Sequence, residues 1–314
     1  MIEIVNKPYA SAFEKFAIAN KEILCLSADL TSSCEIDGFR DRHPNQFLSM
    51  GMAEQNMMSF AGGLGLAGFR PFIHTFGVFT YRRPYDQLIA SIIYPRRKVR
   101  IMGFLPGITT PGGMTHQAID DIAVMRTLPN MTILETGDAT EVEGICEAAD
   151  SIDGPVYCRI LRGAVPRLFD TPLKVGNIRK LNDGNDILVV TSGITTEEAL
   201  RASSPLKKAG ISIKHIHLNT LKPINEDEIS EYINSVIILS QTSRLIGWAN
   251  RRWHNCRQVN IDLVVVALFV VIEAHLVGAH AGGQQRAHPR LAQPVLLRIL
   301  PAHVAHRELG RHCR

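Results

Sequence analysis

"SMGMAEQNMMSFAGGLGLAGFRPFIHTFGVF", residues 49–79, carries the end of one apolar strand, a helical stretch and the whole of the next strand. Within it "GLGLAG" (63–68) matches the glycine pattern of dinucleotide-binding turns. That pattern works only where a strand precedes it and a helix opens after it, so that backbone amides meet a diphosphate at the helix start. Here the order is reversed, with a helical stretch before and "RPFIHT" (70–75) after. The glycines therefore read as close helix packing that ends in a cap at Gly68. The segment reads as one crossover of a parallel sheet. It also contains a single carboxylate. On a helix Glu54 shares its face with Met57, Met58 and Ala61, three, four and seven positions on. An unpaired charge on such an apolar stripe is costly.

Outward from this stretch the first 165 residues keep the same alternation. Strands are expected at "ILCLSA" (23–28), "QFLSM" (46–50), "RPFIHT" (70–75), "KVRIMGF" (98–104), "MTILE" (131–135) and "VYCRI" (156–160). Helices are expected at "YASAFEKFAIAN", "EQNMMSFAGGLGLA", "YDQLIASIIY" and "ATEVEGICEAAD". The pattern predicts a doubly wound parallel sheet over residues 1–167, with ligands at the carboxyl ends of its strands. A turn-rich stretch over 168–185 reads as a linker. A smaller α/β unit follows over 186–242, with strands at "DILVVTSG", "SIKHIHLN" and "SVIILS" and helices from Thr195 and Glu226.

Beyond Thr242 the composition changes. Lysine disappears, and arginine and histidine make up 17 of the last 72 residues. Such a shift marks a natural extension or a change of reading frame, and it leaves the second unit incomplete. The overall net charge of +4 belongs to this tail: the first 242 residues carry 24 basic against 27 acidic residues. A mildly acidic body gives no electrostatic footprint for nucleic acid. The longest apolar run, Leu263 to Ile272, is far short of the roughly 20 residues that span a bilayer. The N-terminus shows no signal-peptide pattern, so a cytoplasmic location is expected. The six cysteines have neither zinc nor redox spacing.

Several chemically capable residues fall just after the expected strands. Asp29 and Ser33 follow the first, Glu54 the second, and Phe76 and Phe79 the third. His116 lies beyond the loop after the fourth, and Arg162 directly after the sixth. A carboxylate, aromatic rings and a histidine on one sheet edge suit a cofactor with a protonatable heterocycle. The acid bonds a ring nitrogen, the rings stack, and the histidine handles substrate hydroxyls. Burial raises a carboxylate's pKa, which favours proton exchange with such a ring. Thiamine diphosphate fits this description.

At these residues the chain resembles the C-terminal half of transketolase, in the form split over two polypeptides. The likeness runs from about residue 5 to 240. It rests on "SADLTSS" (27–33), "GMAEQN" (51–56), "HTFGVF" (74–79), "GGMTHQAIDDIAVMRTLPNMTI" (112–133), "GPVYCRILRGAVP" (154–166) and "HLNTLKPIN" (217–225). The resemblance implies a pyrimidine-binding domain followed by a C-terminal domain. It implies that Glu54 bonds the pyrimidine nitrogen and that Phe76 and Phe79 wall the pyrimidine, with Asp29 beside it. His116 would bind the donor's hydroxyl near the reacting carbons, while Ser33 and Arg162 would grip a sugar phosphate. The implied reaction moves a two-carbon ketol unit from a ketose to an aldose.

The family's G-D-G motif, which holds the diphosphate through magnesium, has no counterpart here. The resemblance thus implies no metal site in this chain and inactivity alone. It implies a partner subunit that supplies the diphosphate and Mg2+ site, in a dimer of heterodimers. The chain departs from the family at a phosphate-binding histidine, where Phe104 or Leu105 stands, and at an acceptor-reading acid, where Gly112 stands. Directly after "VIILS", where the family continues with an acid-x-His and a G-G-x-G segment, this chain reads "QTSRLIGWANRRWHN". Two other readings stay open: the β subunit of a 2-oxo acid dehydrogenase or half of a deoxyxylulose phosphate synthase, and a non-catalytic or defective subunit.

Overall fold

The computed structural model describes residues 2–110, 112–232 and 236–239. The basic tail expected over 243–314 lies outside the described residues. In chain order the elements are β1 (Ile4–Asn6), α1 (Pro8–Ile18), β2 (Ile23–Ser27), α2 (Asp37–Arg42), β3 (Phe47–Ser49), α3 (Glu54–Leu66) and β4 (Arg70–Phe76). Next come α4 (Tyr85–Gln87), which runs into a π-helical turn at Leu88–Ile93, then β5 (Arg100–Phe104), α5 (Asp121–Thr127), β6 (Thr132–Glu135), α6 (Ala139–Asp150), β7 (Val156–Ile160) and β8 (Ala164–Pro166). The chain continues through β9 (Ile178–Asn182), β10 (Ile187–Thr191), α7 (Thr195–Lys208), β11 (Ile213–Leu218), β12 (Thr220–Lys222), α8 (Glu226–Tyr232) and β13 (Val236–Leu239).

Seven strands form the larger sheet in the order β12-β6-β7-β5-β4-β2-β3. Every neighbouring pair is parallel except β12 with β6. Burial on both faces explains the apolar runs read from the sequence: every residue of β5 and β7 is buried, and all but the first of β4. From β2 the chain moves outward to β3, then crosses back to β4 on the other side. The strand order reverses between β2 and β4, which opens a crevice at their carboxyl ends.

The glycine-rich end of α3 is a cap. Gly68 has φ +91°, the Gly68 amide donates to Gly65, and the Phe69 amide donates to Leu64 at 3.0 Å. The close approach falls one residue before "GLGLAG": a Cβ on Gly62 would lie 2.4 Å from the Ser91 carbonyl oxygen, whereas Gly63 faces open space.

The smaller sheet runs β13-β10-β11-β9, parallel except for β9 against β11. The stretch 168–185, expected as a linker, therefore contains a strand of this sheet. The strand after β11, β12, lies outside the smaller sheet and joins the larger one by pairing with β6. Among the described residues no helix is long and apolar enough to cross a membrane.

Candidate active site

Glu54 is the first residue of α3 and its side chain is 4% exposed. Met57, Met58 and Ala61 on the same face are fully buried, as the helical spacing predicts. The sequence reading gave this carboxylate no partner within the chain, and the structure supplies one. Arg83 Nη1 donates to Glu54 Oε1 at 2.5 Å. The Arg83 guanidinium also covers Phe79, with 3.9 Å from Cζ to the ring centroid. Gln55, the next residue of α3, anchors this turn by donating from Nε2 to the Arg83 carbonyl at 3.3 Å.

Phe76 ends β4 and Phe79 lies in the 3-10 turn Gly77–Thr80 that follows. Their rings stack with centroids 6.0 Å apart and planes 20° apart. His116 meets both edge-on, at 6.2 Å from Phe76 and 5.4 Å from Phe79. Its Nδ1 lies 2.9 Å from Thr115 Oγ1. Behind it stands Gly112, where a Cβ would come within 2.8 Å of the imidazole. The small residue at this position lets the histidine lie against its own loop. Contacts thus link Glu54 through Arg83 to Phe79, Phe76 and His116.

The other three candidates are not part of this chain of contacts. Asp29 lies two residues after the end of β2, exposed and in the left-handed region with φ 62°. Ser33 and Arg162 are both half-buried. Burial pushes the Glu35 carboxyl up, and the Gly163 amide, which donates to Glu35 Oε1 at 2.6 Å, and the Arg162 charge oppose that rise. The turn that carries Ser33 is therefore tied to the loop that carries Arg162. Phe104 is a core residue packed edge-on against Tyr9 at 5.1 Å, and Leu105 takes a left-handed φ of 54°. Among the described residues no group of three or more His, Cys, Asp or Glu side chains is placed to hold a metal ion. Cys25, Cys34, Cys146 and Cys158 are buried free thiols, and Cys256 and Cys313 lie outside the described residues.

Beneath this edge the strands carry charges that the sequence reading missed. Arg159, inside β7 and fully buried, donates from Nε to Glu135 at 2.9 Å and from Nη1 to Asp121 at 2.8 Å. Tyr157 donates to the other Asp121 oxygen at 2.7 Å. Burial pushes the Asp121 carboxyl up, and the Arg159 charge and the Tyr157 hydroxyl oppose it. Arg83 could be found in the sequence only as one of two arginines after "GVFTY". Nothing in the spacing selects it over Arg82.

A mainly parallel sheet whose switch-point crevice joins a buried acid, stacked phenylalanines and a histidine defines a class of cofactor-binding domain. Residues 5–167 match the family described as "Transketolase, pyrimidine binding domain", and residues 176–264 match "Transketolase, C-terminal domain". A transketolase family protein of Sinorhizobium fredii, y4mN, is 39% identical over 225 residues, which cover 71% of this chain and 65% of that protein. The 6-deoxy-6-sulfo-D-fructose transketolase subunit SqwH of a Clostridium species is 31% identical over 244 residues, 76% of each chain. A solved structure described as "Split gene transketolase, inactive beta4 tetramer" superposes with a TM-score of 0.73 at 33% identity, over 83% of this chain and 88% of that one. The chain belongs to the transketolase family, and membership implies dependence on thiamine diphosphate.

Proposed function

We propose that this chain is the pyrimidine-binding subunit of a two-chain transketolase. The observation that carries the reading is the side chain of Glu54, buried at a helix start and joined to the stacked pair Phe76 and Phe79 and to His116. These residues fit an aminopyrimidine: a carboxylate for a ring nitrogen, apolar rings for its faces, and an imidazole at the rim. When bound, thiamine diphosphate supplies a carbon nucleophile that accepts and releases a two-carbon ketol unit. Glu54 holds a proton at the pyrimidine nitrogen, and Asp29 lies beside the same ring. Phe76 and Phe79 exclude water from it. His116 binds the donor hydroxyl next to the bond that breaks, and Ser33 and Arg162 hold the phosphate of a sugar substrate.

The diphosphate and Mg2+ are assigned to a partner subunit bearing the G-D-G motif, in a cytoplasmic dimer of heterodimers that acts in carbohydrate metabolism. The chain alone is then inactive. The superposed split-gene chain, described as an inactive tetramer, supports this reading. The tail over 243–314 is either a natural extension or the product of a shifted reading frame. Retranslating the gene from codon 243 in the other two frames decides for the shift if an acid-x-His and G-G-x-G segment appears, and for a native tail if neither frame gives one.

The test is reconstitution with the neighbouring G-D-G-bearing gene product, followed by ketol transfer from a panel of ketoses. Glu54→Ala and Glu54→Gln are expected to abolish transfer. Full activity in either variant, or carbon dioxide release from a 2-oxo acid in place of transfer, ends the reading.

A further inference from the structure

Phe76 is 9% exposed and Phe79 8%, so neither ring presents an open face wide enough for a stacked heterocycle. The groups that close them are each other, His116 and Arg83. Of these, Arg83 alone is a long flexible chain with its side chain half in solvent, 49% exposed. Its guanidinium is flat, delocalised and rich in N–H donors. It can stack on an aromatic face and donate to a carboxylate at once. Arg83 does both here, on Phe79 and on Glu54 Oε1. These are the two contacts that a protonated aminopyrimidine needs.

We propose that Arg83 is a displaceable internal occupant of the heterocycle site, an inference that rests on the pyrimidine-binding reading above. In the closed arrangement it covers the Phe79 face and neutralises Glu54, so the carboxylate is not left unpaired before the cofactor arrives. Ring and guanidinium cannot share Phe79 and Glu54 Oε1. Binding is therefore an exchange, in which the heterocycle enters and the arginine head swings into the solvent it already half occupies. The apparent dissociation constant rises by the reciprocal of the open fraction. An ion pair whose arginine is half in solvent, together with one cation–π contact, makes the closed state favoured by roughly tenfold.

The experiment titrates thiamine diphosphate and Mg2+ into the complex of this chain with its G-D-G-bearing partner, followed by calorimetry. Arg83→Met is expected to bind about tenfold more tightly than wild type. Arg83→Lys, which keeps the charge without the plane, should fall between. Equal or weaker binding by an Arg83→Met complex with an unchanged unfolding midpoint overturns the exchange and leaves the pyrimidine-binding reading standing. No binding by wild type or variants overturns both. A crystal structure of the loaded wild-type complex gives a readout independent of variant folding. Arg83 still on Glu54 and Phe79 beside the bound ring overturns the proposal, and Arg83 released supports it.

Discussion

His217 on β11 lies with Nε2 3.0 Å from Glu141 Oε2 on α6, a fully buried contact that joins the smaller sheet to the larger one. Glu141 also accepts from the Gly137 amide at 2.9 Å and from Arg179 Nε, on β9, at 2.8 Å. Thr196 on α7 meets the other His217 nitrogen at 2.7 Å. One carboxylate thus gathers groups from both α/β units.

Replacing Glu141 with alanine leaves His217, Arg179 and the Gly137 amide without their acceptor. A loss of about 3–5 kcal/mol is expected, the range for breaking a buried pair from one side. Urea unfolding of the chain measures it, and a loss below about 1 kcal/mol would make the pair incidental.

Acid should weaken the same junction. Burial pushes the Glu141 carboxyl up, but His217, the Gly137 amide and Arg179 outweigh it and hold the pKa down to about 2, below the ordinary 4.5. A depressed carboxyl stabilises the fold above its unfolded pKa, and that contribution is lost as pH falls from 4.5 towards 2. Glu141→Gln should flatten this part of the stability curve.

A second pH window belongs to His74. Burial lowers its pKa from 6.5 to about 3, in contact with Tyr9 Oη at 2.8 Å and Cys25 Sγ at 3.5 Å. The neutral ring suits the fold, so this contribution is full above 6.5 and drains as pH falls towards 3, by up to about 1.4 kcal/mol per pH unit. His215, lowered by burial and by His217 to about 4, acts in the same direction. Urea midpoints measured from pH 7 to 4 should fall, with a shallower slope in His74→Gln. Identical slopes would contradict the assignment.

The glycines of α3 should separate cleanly. Gly62→Ala drives a methyl group against the Ser91 backbone and is expected to cost about 1–3 kcal/mol. Gly63→Ala meets open space inside a helix and should stabilise the chain by roughly 0.5–1 kcal/mol. Thermal unfolding of the two variants compares them directly, and equal midpoints would refute the packing account.

If Arg162 grips a phosphate, Arg162→Gln in the reconstituted complex should raise KM for a phosphorylated donor about tenfold or more with little change in kcat. A non-phosphorylated donor should be unaffected. Equal losses on both donors would remove the role.

The middle of the larger sheet was legible in the sequence because β4, β5 and β7 are buried on both faces and read as largely apolar runs. Helix α6 was found over its exact span because Asp138 caps it with a hydrogen bond to the Glu141 amide at 2.8 Å and apolar residues repeat at helical spacing. Glu54 stood out as a charge among methionines. Its partner did not, because Arg83 is 29 positions downstream and only the turn after β4 brings it back. Arg159 was read as one residue of a strand, since its two carboxylates come from α5 and β6 and no local pattern announces them. The three residues of β12 carry no periodicity at all. What makes them a strand is the open edge of β6 beside which they fall.

That last strand interlocks the two units. Chain from inside the second α/β unit, just after β11, completes the sheet of the first, so a fragment cut at residue 185 would expose β6 as a raw hydrogen-bonding edge, a template for self-association. The two halves of the polypeptide are written one after the other, yet they must finish folding together.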